Sequence, residues 1–139
     1  MKKLVVVLFA VVVTGSTFLG IVGTARSRPQ YFGEFKKLYV KADSTSPDDK
    51  AFADAVKSAR CGVCHEGESK KNRNDYGKAL ASILKPADAP ADFKGETDKS
   101  KIDDALKKVA DEHVDPNDSK SPTYGDLIKA GKLPGGEKK

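Results

Sequence analysis

Five consecutive positions, Cys61-Gly62-Val63-Cys64-His65, gather both cysteines of the chain and one of its two histidines. Thiols three residues apart fall on one turn and can act together. They can exchange a disulfide, hold a metal ion with nearby imidazoles, or form two thioethers to one flat molecule that carries two reactive double bonds. The histidine that follows directly can then set an imidazole nitrogen on a metal at the centre of that molecule. The remaining histidine, His113, lies far downstream.

The surroundings separate these chemistries. A Cys-x-x-Cys redox site normally follows a strand in a βαβ unit, and no such pattern precedes Cys61. A zinc site could draw on Cys61, Cys64, His65 and His113, but the paired second half that makes zinc motifs specific is missing. A Cys61–Cys64 disulfide would close too small a loop to stabilise much. Cys-x-x-Cys-His suits covalent attachment of one haem, with Cys61 and Cys64 adding to its vinyl groups and His65 as the proximal iron ligand. In this the motif resembles the attachment site of c-type cytochromes. Beyond it, Cys61 to Leu84 and Pro122 to Pro134 are similar to a group of small exported single-haem bacterial proteins, in which a basic loop and a Tyr-Gly-Lys-Ala-Leu helix follow the motif. The resemblance implies an all-α, cytochrome c-like fold around one covalent haem c, and a carrier of single electrons rather than an enzyme.

The second axial position is where this chain departs from that family. Small cytochromes c commonly use a Met thioether, yet the one Met here is Met1, so His/Met ligation from this chain is excluded. His113 is the candidate distal ligand. Against it, Asp111, Glu112 and Asp115 surround His113 with negative charge, which favours the protonated imidazole that cannot bind iron. An open sixth position would instead admit a small gas or peroxide, although peroxide cleavage wants a distal His with an Arg, and Arg73 is the nearest Arg in sequence. A non-haem Cys/His metal-binding module is the remaining alternative.

These residues must be carried by about one domain, since 139 residues leave no room for two sizeable cores. Lys2 and Lys3 precede an apolar run over residues 4–23, and Gly23-Thr24-Ala25 offers small residues for cleavage. Residues 1–25 are therefore expected to be a signal peptide, or an uncleaved inner-membrane anchor, directing the rest to the periplasm. Residues 26–48 read as an N-terminal helix and linker, 49–134 as the haem domain and 135–139 as a flexible tail. The formal net charge of +5, without dense Arg/Lys tracts, argues against nucleic acid. Lys70, Lys71, Arg73 and Lys78, diluted by Glu66 and Glu68, could steer an acidic redox protein to an exposed haem edge.

Apolar spacing predicts short helices and no sheet. Tyr31, Phe35 and Leu38 mark the first; Phe52, Ala55, Val56 and Ala59 mark a second that runs directly into Cys61. Tyr76, Ala79, Leu80 and Ile83 mark a third, capped by Asn74 or Asp75. Ser100 reads as the N-cap of a fourth, carrying Ile102, Ala105, Leu106 and Val109, and a short fifth surrounds Tyr124, Leu127 and Ile128. Phe35, Phe52 and Tyr76 are assigned to packing. No internal repeat is evident, long loops join the helices, and the haem is expected to supply much of the apolar centre.

Overall fold

A computed structural model describes residues 29–67, 71–84 and 96–136 of the chain. The expected signal peptide of residues 1–25 lies outside the described residues, as do Glu68 and Lys70 of the basic loop and residues 137–139. Five helices and no strand make the described protein all-α: α1 (Pro29–Tyr39), α2 (Pro47–Ala59), α3 (Asp75–Ile83), α4 (Glu96–Ala110) and α5 (Tyr124–Lys129). Among the described residues, no helix is long and apolar enough to cross a membrane.

Helix α4 is the centre of the arrangement and packs against α1, α3 and α5. Its buried stripe, Ile102, Ala105, Leu106 and Val109, recurs at three- and four-residue intervals, so one face is apolar while Lys107 and Lys108 occupy its last turn. Helix α1 turns Phe35 inward and ties itself to α4 where the Tyr39 hydroxyl donates to the Leu106 carbonyl at 2.9 Å. Phe52 and Val56 of α2 and Tyr76 and Leu80 of α3 complete the core, together with Val63, Leu84, Tyr124 and Ile128. Tyr76 sits among aromatics: its ring meets Phe35 edge-on at 6.1 Å and Tyr124 edge-on at 5.2 Å.

The Tyr76 cluster bridges the short helices. Three differences from the sequence expectations have physical reasons. Helix α4 begins at Glu96, one turn before Ser100, which therefore lies inside the helix; helical backbone extends past the end of an apolar stripe when the preceding residues tolerate it. Helix α2 does not run into Cys61. It stops at Ala59, and Arg60 takes a positive φ of 49° before a separate 3-10 turn over Arg60–Val63. Finally, the chain near residue 135 is not a free tail. A Cβ on Gly135 would come within 2.0 Å of the Asn74 side chain and 2.6 Å of the Val63 carbonyl, so the backbone there lies directly on the Cys-containing turn.

Candidate functional site

The 3-10 turn holds Cys61, Cys64 and His65 on one short arc. The Cys61 carbonyl accepts from the Cys64 N–H at 3.2 Å and the His65 N–H at 3.0 Å, which closes the turn. The chain then doubles back as a narrow hairpin. Glu66 N–H donates to the Asn72 carbonyl at 3.1 Å, Asn74 N–H donates to the Cys64 carbonyl at 3.2 Å, and His65 bridges Arg73.

This hairpin orients the imidazole. His65 Nδ1 lies 3.1 Å from the Asn72 carbonyl oxygen. A carbonyl can only accept, so Nδ1–H donates to Asn72 and Nε2 is the other ring nitrogen. An Nδ1–H held by a carbonyl fixes the ring plane, an arrangement common among metal-binding histidines.

The two thiols differ sharply. Cys61 is exposed, whereas Cys64 is half-buried as a residue and its thiol is pushed up to about 12, first by burial and then by the neighbouring Cys61. Burial also raises the Tyr76 phenol, with Cys64 the next cause, and the Tyr76 hydroxyl has no hydrogen-bond partner among the described residues. Helix α3 explains the crowding. A Cβ on Gly77 would fall 2.0 Å from the Cys64 carbonyl oxygen, so the first turn of α3 rests on the Cys turn and only glycine fits.

His113 occupies a second hairpin. Its Nδ1 is 2.5 Å from the Ser121 carbonyl, it bridges Thr123, and Val114 N–H donates to the Pro122 carbonyl at 3.0 Å. It borders a groove of about 570 Å³ with Asp75, Lys78, Ala79, Ser82 and Tyr124 among its walls. Those α3 residues recur at helical intervals on one face, and Gly77 lies about 150° around the helix from that face at 100° per residue. Cys64 and His113 thus meet opposite faces of α3. Among the described residues, no three His, Cys, Asp or Glu side chains converge to hold a metal ion, so the four side chains that a zinc site would need are not assembled.

The basic residues near the motif are partly neutralised. Lys78 pairs with Asp75 at 2.9 Å, while Lys71 and Arg73 are exposed. Two contributors escaped the sequence reading. Asn74 was legible as a cap, but its side chain also grips the Cys turn. The second hairpin repeats the first in outline: Tyr76-Gly77 follows His65, and Tyr124-Gly125 follows His113, at the same spacing of eleven residues. That spacing was visible in the sequence, hidden by the lack of cysteines in the second copy.

The site therefore defines a class in chemical terms: a helical protein with a two-thiol turn followed by a histidine whose Nδ1 is held by a backbone carbonyl. In comparisons with family models, with curated proteins and with solved structures, no match to this chain was found.

Proposed function

We propose that the protein is a periplasmic single-electron carrier with one covalently attached c-type haem. The observation that carries this reading is the Cys61–His65 turn, where two thiols share an arc with an imidazole whose Nδ1 is committed to Asn72. The donor set fits a haem: Cys61 and Cys64 would hold it as thioethers and His65 would ligate its iron. When bound, the haem would supply a one-electron couple. The residues have simpler tasks. The Cys turn fixes position, Asn72 fixes the His65 ring, and the exposed Arg73, bridged to His65, would present positive charge beside the site to an acidic redox partner.

One observation favours a second reading. The one Met is Met1, and Cys64 and His113 meet opposite faces of α3, an arrangement that favours a five-coordinate haem able to bind a small gas or reduce peroxide.

Mass spectrometry of denatured protein exported from a host with haem-attachment machinery tests the proposal. The expected mass exceeds that of the polypeptide by one haem, and a polypeptide-only mass overturns it. On the loaded protein, a low-spin spectrum that becomes high-spin in His113→Ala identifies His113 as the sixth ligand. A high-spin ferrous form that takes up carbon monoxide supports the five-coordinate reading.

A further inference from the structure

Asn74 divides its hydrogen-bonding groups between the Cys turn and the start of α3. Its Nδ2 donates to the Gly62 and Val63 carbonyls, both at 3.1 Å, and its backbone N–H donates to the Cys64 carbonyl at 3.2 Å. Three consecutive carbonyls of the turn therefore bind to one residue. Its Oδ1 accepts from the Gly77 N–H at 2.9 Å and caps α3. The amide orientation is dictated by these partners, since two carbonyls face the nitrogen and an N–H faces the oxygen. The side chain is buried at 6% exposure, and Gly135 closes over it.

The consequence reaches His65. The segment Asn72–Asn74 holds the Cys turn twice: Asn72 O accepts from the ring and from Glu66 N–H, and Asn74 holds the carbonyls on the other side. With the carbonyls anchored, the turn cannot rock relative to Asn72, and the imidazole plane stays fixed. Without the Nδ2 donors, the Gly62 and Val63 carbonyls are released and the turn gains freedom that the ring must share.

We infer that Asn74 is a positioning residue for the haem site, setting the orientation of the His65 imidazole through the three carbonyls of the Cys turn; the inference rests on the haem-binding reading above. Substitution separates this role from capping. Serine at an N-cap accepts the α3 amide but has no donor that reaches both carbonyls, while alanine does neither.

The experiment compares full-length, exported, haem-loaded wild type with Asn74→Ala and Asn74→Ser. Attached haem is read by mass, thermal unfolding by circular dichroism, the reduction potential by titration, and the His65 ring signals by proton NMR. Asn74→Ser is expected to recover most of the thermal stability lost in Asn74→Ala. Both variants are expected to shift the potential in the same direction and to move or broaden the His65 ring signals. Loaded variants with wild-type potential and ring signals overturn the positioning role, whatever their melting temperature. A potential shift that vanishes in Asn74→Ser along with the stability loss also overturns it, since capping alone then suffices. If Asn74→Ala does not accumulate, Asn74→Ser decides. A wild type without haem overturns the underlying reading instead, and the mass identifies that case separately.

Discussion

The two histidine hairpins share an outline and differ in what they cost. Each holds Nδ1 of its imidazole on a carbonyl, and each leads eleven residues later to a Tyr-Gly pair that opens a helix and sets its glycine against a backbone carbonyl. In the second, local demands are met. Thr123 and Asp126 form a reciprocal capping box at the start of α5. The first carries a positive φ at Arg60, a buried thiol at Cys64 and a buried Tyr76 hydroxyl without a partner among the described residues. Each is a local expense, and such expenses tend to gather where function constrains a chain. The difference teaches that a shared outline can carry unequal local costs.

The widest gap expected between paired groups is in the thiols. In chain produced without haem attachment and kept reduced, Cys61 should react with iodoacetamide near pH 8 far faster than Cys64, because Cys61 is exposed while Cys64 is buried and a thiol near 12 is almost wholly protonated there. Mapping the alkylated peptides over time measures both rates. Equal rates would mean that the Cys turn opens freely, and the contrast between a strained and a settled hairpin would lose its main support.

The glycines come next. Gly77→Ala drives a Cβ to 2.0 Å from the Cys64 carbonyl oxygen, whereas Gly125→Ala meets the Ala110 carbonyl oxygen at 2.8 Å. Both gain helix propensity, so the clash decides. Gly77→Ala should cost about 3 kcal/mol and Gly125→Ala about 1 kcal/mol or less in urea unfolding. A smaller effect of opposite sign is expected from Tyr76→Phe. It removes a buried hydroxyl with no partner while keeping the ring contacts with Phe35 and Tyr124, and should stabilise the haem-free chain by about 1 kcal/mol. A loss on that substitution would show that the hydroxyl is satisfied in solution.

How much of this was legible beforehand follows from range. Helices α1, α2, α3 and α5 were readable because apolar periodicity and caps act within a few residues; Asn74 and the tyrosines at 76 and 124 announced themselves that way. The stop at Ala59 was not, because nothing in Ala59-Arg60-Cys61 breaks a helix locally, and the break comes from packing the turn under Gly77. The bridging place of Tyr76 was not legible for a similar reason. Tyr76 reads as one more helical aromatic until Phe35 and Tyr124, distant in sequence, are seen on either side of it. Chemistry at the Cys turn was legible from residue types. The grip of Asn74 on three carbonyls needed coordinates, since no spacing rule links residue 74 to 62.

Acid should separate the hairpins by the smallest margin. Asp126 is held below the ordinary carboxylate value, chiefly by the Thr123 backbone N–H and then by its hydroxyl, with Lys129 and His113 adding positive charge nearby. A carboxylate lowered in the fold contributes stability above its unfolded value, about 4, and loses it as pH falls through the lower folded value. The α5 cap should therefore loosen as the solution is acidified below about pH 4. At α3 the capping side chain is that of Asn74, an amide that does not titrate. Hydrogen exchange followed over that range should show the α5 amides opening before those at the start of α3, after correction for the intrinsic pH dependence of exchange. Replacing Thr123 by Ala should lower α5 protection already at neutral pH, by about 1 kcal/mol, and flatten its acid response. If both helix starts opened together, the capping box would carry no separate weight, and the settled character of the second hairpin would have to come from its packing on Ala110 alone.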